Sequence, residues 1–396
     1  MLTNERKEQI VEVLQNLIQR RSYSGEEKEV AEYIKKLCLE VGYDTVHVDK
    51  YGNVIGSVKG KYEGPKVLMD GHIDTVPVDE EKWTKKPFAG NIEDGKLYGR
   101  GTTDMKGAVC AMLLAGAYLA QDLKKEFAGE IFIAGVVHEE CFEGVAAREI
   151  SKYVKPDYVI IGEASQLNLQ NKDKRGRGEN SSRNILEKPA HSANPEKGIN
   201  AVYKMMKIIE NIQKLPMTHH DTLGYGILEL TDVKSSPYPG ASVVPDYCRA
   251  TYDRRLLVGE TPESVLAPIQ KLLDEMAKED ETLKAKVSYA RGVEKCWTGA
   301  TIEGERFFPG WLFEEKDEYV QKALKALEGI GQTPTITHYN FCTNGSHYAG
   351  EAGIKTIGYG PSRENLAHTI DEYIELDSLY NVTEGYYAIL KAYLTK

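Results

Sequence analysis

The sequence of 396 residues has no apolar run of about 18 residues or more, so we expect no membrane-spanning helix. Its six cysteines are scattered and form no CxxC pair, which disfavours a disulfide framework and is typical of free thiols in a reducing compartment. The N-terminal segment MLTNERKEQIVEVLQNLIQRR lacks the apolar core of a signal peptide. We therefore expect a cytoplasmic protein without a membrane partner.

Positive charge and nucleotide-binding motifs are also scarce. The formal net charge is −10 and the acids and bases are interspersed, so we expect no nucleic-acid partner and no anionic-membrane surface. No Walker A, GxSxG or dinucleotide fingerprint occurs in a strand–turn–helix context. These absences disfavour a P-loop nucleotidase, a serine hydrolase and, as the weakest rival function, a dehydrogenase.

What the sequence does contain is a sizeable apolar core, because 41% of its residues are hydrophobic. Near-continuous apolar strand candidates at 66–72, 130–137 and 157–163 alternate with helices, of which 106–123 is apolar almost all round. Such strands are typical of a sheet that is covered on both faces. The pattern predicts an α/β domain with a mostly parallel mixed sheet between helices.

The pattern changes near residue 180 and returns near residue 312. Between these points the predicted order is helix, two strands, helix and strand, which forms most of a ferredoxin-like α+β domain (198–214, 223–233, 241–256, 261–279 and 284–290). The simplest organisation is one catalytic α/β domain interrupted by a smaller inserted domain. We place the boundaries at 1–179, 180–293 and 294–396.

Chemically reactive side chains follow three of the predicted strands at the point where each strand ends. His72 ends the first strand, the adjacent acids Glu139 and Glu140 end the second, and Glu163 ends the third. In open α/β sheets, ligands bind outside the carboxyl ends of the strands. Burying two adjacent carboxylates costs several kcal/mol per charge unless a positive group compensates them. We therefore expect a cation at this sheet edge.

Two further residues could join this cluster. Asp104 lies in a glycine-rich turn that leads into the 106–123 helix, and His368 follows a glycine-rich strand end in the last part of the chain. Two histidines and several carboxylates, without a thiolate, form a ligand set that suits a pair of Zn²⁺ ions, with Co²⁺ or Mn²⁺ as substitutes. Two such ions can activate a shared water for attack on a carbonyl.

Each of these residues also has an ordinary structural alternative. Glu139 and Glu140 could be acids at a solvated helix N-terminus, and Asp104 could be a helix N-cap. We favour metal binding for these three because of the whole constellation. Glu143, by contrast, we interpret as an ordinary acid at a helix N-terminus.

Seven motifs occur in order along the chain: GHIDTVP (71–77), GRGTTDMKG (99–107), HEECFEG (138–144), IGEAS (161–165), AHSANPEKGINA (190–201), DRRLLVGET (253–261) and AHTIDEY (367–373). Together they resemble the motifs of the co-catalytic zinc metallopeptidases. That family includes acetylornithine deacetylase, succinyl-diaminopimelate desuccinylase, aminoacylase and glutamate carboxypeptidase. The resemblance implies a zinc-exopeptidase-like three-layer catalytic domain with an inserted lid and dimerisation domain, and hence a homodimer.

The resemblance also implies how the metal ligands are divided. His72 and Glu163 would bind one zinc ion, and Glu140 and His368 would bind the other. Asp104 would bridge the two ions. The predicted cofactor is therefore two Zn²⁺ per chain.

Catalytic and substrate-binding roles follow from the same resemblance. Glu139 would be the general base, Asp74 would hold the imidazole of His72 through its second nitrogen, and His191 would contact the carbonyl oxygen across a dimer. The arginine that binds a substrate carboxylate matches Arg255 better than Arg254 by its spacing from the preceding aspartate.

The substrate pocket would be lined by Asn344, Gly345 and Ser346 together with residues 358–361. One departure from the family pattern is the stretch NSSRNILEK (180–188), which is polar and without period-two alternation where a strand should open the small domain. Either this stretch results from a compensated frameshift in the gene or its sequencing, or its residues are genuine and we expect a weaker edge strand.

The predicted function is hydrolysis of an amide bond by a metal-activated water. The substrate would be a small peptide next to its free carboxylate, or an N-acyl amino acid. Peptidase and deacylase activities remain open at this point, because the specificity loops carry no recognisable signal. A non-catalytic metal-binding scaffold of the same fold is the alternative from a different class.

Overall fold

A computed structural model describes residues 2–173, 176–185, 188–221 and 223–395 of the chain. It separates into two compact units. The first consists of Met1–Asp173, Val293–Gly304 and Trp311–Lys396, and the second of Lys174–Gly292 and Glu305–Gly310. The roles of catalytic domain and lid that we assigned from sequence stay predictions for these units.

The first unit is built on an eight-stranded mixed sheet. Its strands lie in the order Thr45–Val48, Val54–Lys59, Ala128–Val136, Tyr62–His72, Tyr158–Ile161, Lys355–Gly358, Leu169–Asp173 and Ile336–Tyr339. The four strands from Ala128–Val136 to Lys355–Gly358 run parallel to one another. Their carboxyl ends therefore lie at one edge of the sheet, as the sequence predicted.

Helices cover both faces of this sheet. Gly71 faces Val109 and Met112 of the helix Lys106–Asp122, whereas the preceding residue, Asp70, is hydrogen-bonded on the other face by Tyr348. Because successive residues of a strand point to opposite faces, the two sets of helices lie on opposite sides. The result is the predicted three-layer arrangement.

The described residues of the first unit form six α-helices, of which Lys106–Asp122 matches the predicted helix 106–123. They are Asn4–Ile18, Lys28–Glu40, Lys106–Asp122, Ala147–Val154, Glu318–Glu328 and Leu376–Leu394, with a π-helix at Ser346–Glu351. The helix Lys106–Asp122 is buried on all sides over Lys106–Ala120, which explains its lack of a polar stripe. Among the described helices, none is long and apolar enough to cross a membrane.

A small three-stranded sheet in the first unit joins two distant parts of the chain. Its strands are Ile92–Glu93, Lys96–Tyr98 and Tyr373–Glu375, and Tyr373 pairs with Tyr98 in antiparallel register. The glycine-rich turn 99–105 follows the second of these strands directly. The segment 367–372 precedes the third, so this sheet brings two of the sequence motifs side by side.

The second unit has the predicted ferredoxin-like order of strand, helix, two strands, helix and strand. The sheet order is Ile227–Ser236, Tyr247–Leu256, Gly176–Ile185 and Ala285–Tyr289, and Phe307–Phe308 also pairs with Gly176–Ile185. The helices Ala201–Ile212 and Pro262–Glu279 pack on this sheet through an apolar cluster that contains Met205, Ile208, Tyr252, Ile269 and Leu273. Shorter strands pair Ala190–His191 with Val243–Val244, His219–His220 with Gly224–Tyr225, and Arg291–Lys295 with Thr301–Glu305.

The polar stretch 180–188 is the main departure from our expectation. The strand Gly176–Ile185 lies between Tyr247–Leu256 and Ala285–Tyr289, so it is an interior strand of the sheet and not an edge strand. Residues 186 and 187 lie outside the described ranges. Neighbouring strands on both sides pair with its backbone, and these backbone hydrogen bonds do not require apolar side chains.

Candidate metal centre

The carboxyl ends of adjacent strands bring three predicted ligands together. His72 is the last residue of its strand, and Glu163 lies two residues beyond the neighbouring strand Tyr158–Ile161. His72 Nε2 lies 2.8 Å from Asp104 Oδ1 and 3.5 Å from Glu163 Oε1. We call these three residues the inner triad, since their side chains are at most 14% exposed.

A second group of ligands shares one member with the first. Asp104 Oδ2 lies 3.0 Å from His368 Nε2, and Glu140 Oε1 lies 3.0 Å from the same nitrogen. We call Asp104, Glu140 and His368 the outer triad, because the imidazole of His368 is 47% exposed. In each triad, one ligand atom from every member lies within 4.8 Å of the others. The two oxygens of Asp104 therefore face one triad each.

The contacts of Asp104 bear on the helix-capping alternative, and metal binding by this residue stays a prediction. The helix Lys106–Asp122 has Met105 as its N-cap residue and no side-chain capping bond. The Asp104 carboxylate is engaged by the two histidines instead. The N-cap alternative is therefore excluded by the contacts of this side chain.

Glu139 and Glu140 do not lie at a helix N-terminus either. They follow the strand Ala128–Val136 in a turn, and the next helix begins only at Ala147. Glu139 is 6% exposed, and its Oε1 has no hydrogen-bond partner among the described residues. Our interpretation of Glu143 as a solvated helix-terminal acid is wrong, because this residue is 7% exposed and precedes the helix by four positions.

Asp74 organises the site through its backbone as well as its side chain. His72 Nδ1 donates to the backbone oxygen of Asp74 at 2.9 Å, and the nearer carboxylate oxygen is 3.6 Å from this nitrogen. The carboxylate instead accepts the backbone N–H groups of Glu139 and Glu140 at 3.0 and 3.2 Å and the hydroxyl of Ser24 at 2.7 Å. Because Nδ1 is the donor, Nε2 is left as the ligating nitrogen of His72.

The electrostatics of the inner triad are those of a crowded acidic site. Burial alone would lower the pKa of His72, but the hydrogen bond to Asp104 and the charges of Glu139 and Glu163 outweigh it and raise this pKa well above its ordinary value. Burial and the charge of Asp104 raise the pKa of Glu163 well above its ordinary range. Protons thus compensate the clustered acids when no other cation does.

In the outer triad, hydrogen bonds to Asp104 and Glu140 raise the pKa of His368 to about 10. The backbone of His368 has a φ of 62°, in the left-handed region. Such a conformation is uncommon for a residue other than glycine, and it occurs in turns and at functional sites.

These residues fit a pair of divalent ions. The donor atoms are imidazole nitrogens and carboxylate oxygens, which match Zn²⁺ and also Co²⁺ or Mn²⁺. Among the described residues, the buried Oε1 of Glu139 has no hydrogen-bond partner, and burial raises the pKa of Glu139 and of Glu163, so the site contains more acceptors than these residues can satisfy. A cation is the simplest group that satisfies them.

The predicted residues of the second unit have contacts of their own. His191 is exposed and its Nδ1 accepts the backbone N–H of Ala193 at 3.1 Å. Arg254 is buried and paired with Glu260 at 2.5 Å, whereas the side chain of Arg255 is 34% exposed and its Nε pairs with Asp253 Oδ1 at 2.9 Å. The choice of Arg255 over its neighbour is therefore consistent with which arginine is accessible.

The predicted pocket residues 344–346 are more deeply placed than we expected. Asn344 is 3% exposed, and its amide donates to Asp70 and accepts from the backbone N–H of Gly144, each at 2.9 Å. Ser346 is 1% exposed and begins the π-helix. These contacts assign the Asn344 amide to the packing of the loop, and its contact with a substrate stays a prediction.

Sequence reasoning missed two residues that contact the site. Glu372 accepts the backbone N–H of Asp104, and Arg100 donates to Glu372 and reaches the backbone oxygen of His368. Both belong to motifs that we had singled out, Arg100 to GRGTTDMKG and Glu372 to AHTIDEY. The signal that could have suggested this pair is an arginine in one motif and an acid of opposite charge in another.

The fold and the site together define a class of protein. An α/β sheet whose carboxyl edge carries two histidines and several carboxylates around one shared aspartate is the arrangement of a metal-dependent hydrolase. Residues 68–392 match the model of peptidase family M20/M25/M40, and the chain belongs to this family of amide-bond hydrolases. The family resemblance and the fold class predicted from the sequence are confirmed.

Several known proteins are similar over nearly the whole chain. The uncharacterized protein YgeY of Escherichia coli is 32% identical over 388 residues, which cover 96% of this chain and 93% of that protein. The succinyl-diaminopimelate desuccinylase of Hydrogenovibrio crunogenus is 27% identical over 398 residues, which cover 95% and 96% of the two chains.

Solved structures show the same fold. Aminopeptidase PepT of Bacillus cereus superposes with a TM-score of 0.74 at 22% identity and covers 98% of both chains. YxeP of Bacillus subtilis, a dinuclear metal binding peptidase, superposes with a TM-score of 0.70 at 15% identity and covers 98% of this chain and 97% of its own.

Proposed function

We propose that this protein is a two-metal hydrolase that cleaves an amide bond next to a carboxylate, in a small peptide or an N-acyl amino acid. The observation that carries the proposal is the position of Asp104, whose two carboxylate oxygens face two separate triads. A shared carboxylate is the usual bridge in two-metal hydrolase sites. The dinuclear metal binding of YxeP supports the same stoichiometry.

His72 and Glu163 would hold one ion, Glu140 and His368 the other, and Asp104 both. When bound, two Zn²⁺ ions would lower the pKa of a shared water and polarise the carbonyl of the substrate. Hydrogen bonds within the chain orient two of these ligands before an ion binds. Asp74 fixes the tautomer of His72 and the backbone of Glu140 by hydrogen bonds, so neither ligand has to be reoriented.

Glu139 is the residue that we propose as the general base. Its Oε2 lies 4.0 Å from His72 Nε2, at the edge of the inner triad, while its buried Oε1 has no hydrogen-bond partner in the described part of the chain. Burial raises the pKa of Glu139, which makes this carboxylate a stronger base than an exposed one. It would take a proton from the attacking water and return it to the nitrogen of the leaving amine.

The second unit would supply substrate recognition. The accessible guanidinium of Arg255 suits a bidentate pair with a substrate carboxylate. His191 accepts a hydrogen bond at Nδ1, so the neutral imidazole carries its proton at Nε2 and can donate it to a carbonyl oxygen. Hydrolysis of a succinyl amide by the related desuccinylase is consistent with a substrate that carries a carboxylate.

The experiment that tests the proposal compares Glu139→Gln with Glu143→Gln, a buried acid four residues further on that belongs to neither triad. Both variants and the wild type are loaded with Zn²⁺ or Co²⁺ and tested on a panel of dipeptides and N-acyl amino acids. We expect Glu139→Gln to keep two ions per chain and to lose about 10²–10⁴-fold in kcat. Glu143→Gln should retain most of the activity.

Wild-type protein that binds two ions but hydrolyses nothing in the panel would favour the scaffold alternative. Full activity in Glu139→Gln would rule out its role as the base. Relative rates on dipeptides and N-acyl amino acids decide between peptidase and deacylase. The homodimer, the cytoplasmic location and the preference for zinc stay predictions.

A further inference from the structure

Glu372 is a completely buried acid that belongs to neither triad. It follows His368 by four residues and leads into the strand Tyr373–Glu375. Its carboxylate reaches the glycine-rich turn that contains Asp104, although that residue lies 268 positions earlier in the chain. Glu372 therefore connects the two segments that carry two of the three outer ligands.

One oxygen of this carboxylate binds the turn at three points. Oε1 of Glu372 accepts the backbone N–H groups of Gly101 at 3.0 Å, Thr103 at 2.8 Å and Asp104 at 3.2 Å. Backbone donors in a buried turn need partners. Because three of these donors share one carboxylate oxygen, a displacement of Glu372 would break all three hydrogen bonds. The turn, including the backbone of Asp104, would then lose its fixed conformation.

The other oxygen holds an arginine that contacts the outer histidine segment. Oε2 of Glu372 accepts from one guanidinium nitrogen of Arg100 at 2.6 Å, and the second terminal nitrogen reaches the backbone oxygen of His368 at 3.4 Å. The guanidinium also lies over the ring of Trp83, with its carbon 5.2 Å from the ring centroid. Arg100 is thus oriented from two sides and connects Glu372 to the backbone of His368.

We propose that Arg100 and Glu372 form a positioning pair, which sets the distance between the Asp104 carboxylate and the His368 imidazole that the outer ion requires. This inference rests on the proposed two-metal function. Stability alone does not explain this pair, since a buried ion pair adds little or nothing to the free energy of unfolding compared with apolar residues of the same size. The pair instead joins two ligand segments that no strand of the central sheet holds.

The test is a Co²⁺ titration of the full metal-free chain, followed by visible absorption and by calorimetry. Glu372→Gln keeps an acceptor for the turn but removes the charge that holds Arg100. We expect the Kd of the second Co²⁺ to rise about 10–100-fold, with a changed absorption spectrum for that ion, and the Kd of the first to change by less than about threefold.

The matched control is Glu260→Gln in the second unit. Glu260, whose side chain is 9% exposed, is also the partner of a buried arginine, Arg254, and also accepts a backbone N–H, that of Leu257 at 2.7 Å. This variant should lose stability in a comparable way and leave both Co²⁺ affinities within about twofold of the wild type.

If Glu372→Gln does not fold, Arg100→Lys tests the same pair, because lysine keeps the charge beside Glu372 but cannot bridge to His368 at the same time. Unchanged affinity for the second ion in either variant overturns this inference alone, as does an equal weakening of both ions. Wild-type protein that binds fewer than two Co²⁺ overturns the proposed function and this inference with it.

Discussion

The two triads share Asp104 but are built in different ways. The inner ligands His72 and Glu163 follow buried parallel strands, and their side chains are 1% and 5% exposed. In the outer triad, His368 belongs to a turn segment and is 47% exposed, and Glu140 follows its strand by four residues. Apart from the shared Asp104, the inner ligands are therefore positioned by strands of the central sheet and the outer ligands by segments beyond the strand ends.

This difference implies different metal affinities. Buried charges interact more strongly with an ion than exposed ones, because less water screens them. Loop segments also open locally at a lower free energy than core strands. We therefore expect the inner ion to bind more tightly and to exchange more slowly than the outer ion.

The largest effect is expected from Asp104, since it is the ligand that both triads share. Asp104→Asn removes its charge, so the metal content should fall from two ions per chain toward zero and kcat by at least about 10²–10³-fold. Metal analysis after gel filtration measures this. Asp122→Asn, which removes an ion-pair partner of Arg6 remote from the ligands, is the control. Two firmly bound ions in Asp104→Asn would contradict the shared role.

A smaller effect is expected on the affinity of the ion that remains when one triad is disrupted. Glu140→Gln should leave one tightly bound ion, whereas Glu163→Gln should leave one weakly bound ion. The two variants introduce the same chemical change, so each serves as the control of the other. Calorimetry with Zn²⁺ measures the remaining site in each. Equal Kd values for the two remaining ions would show that burial does not distinguish the triads.

Removal of the metal should also occur in two steps. With a chelator in excess, we expect a fast release of one ion from the outer triad and a slow release of the other. His368→Ala should abolish the fast step and leave the slow one unchanged. Stopped-flow absorption of the Co²⁺ protein follows both steps. Release of both ions from the wild type in a single exponential would contradict the expected difference between the inner and outer triads.

The smallest effect concerns pH and the metal-free protein. The pKa of His368 is raised to about 10 by its hydrogen bonds to Asp104 and Glu140, so its contribution to stability is complete below its ordinary value and is lost as the pH rises through about 10. Because the imidazole is nearly half exposed, we expect less than about 1 kcal/mol.

Urea unfolding of wild type and His368→Ala, near pH 6 and near pH 10.5, measures this contribution. The difference in the free energy of unfolding should be larger at the lower pH and should shrink in a Glu140→Gln background. A difference that grows with pH would show that the ion pairs do not stabilise the metal-free fold.

Much of the inner triad could be predicted from the sequence, because local patterns determine it. The apolar strand before His72 ends where the parallel sheet ends, and the same is true before Glu163. Strand periodicity and the rule for the carboxyl edge of α/β sheets suffice to bring such residues together. The general order of the second unit followed from periodicity in the same way.

Features that depend on contacts distant in sequence could not be predicted. The pairing of Arg100 with Glu372 joins residues 272 positions apart, and the inward orientation of Asn344 depends on Asp70 of the distant strand Tyr62–His72. Glu143 was misplaced because helix boundaries are poorly determined by pattern alone. The interior position of Gly176–Ile185 results from two partner strands that its own polar sequence does not indicate.

The left-handed backbone of His368 restricts what protein engineering can place at this position. Among side chains able to coordinate a metal, only histidine, aspartate and asparagine adopt that conformation with any frequency. A glutamate or a cysteine would have to overcome backbone strain before it could coordinate an ion. Efforts to change the metal preference of the enzyme therefore have more freedom at the extended backbone of His72.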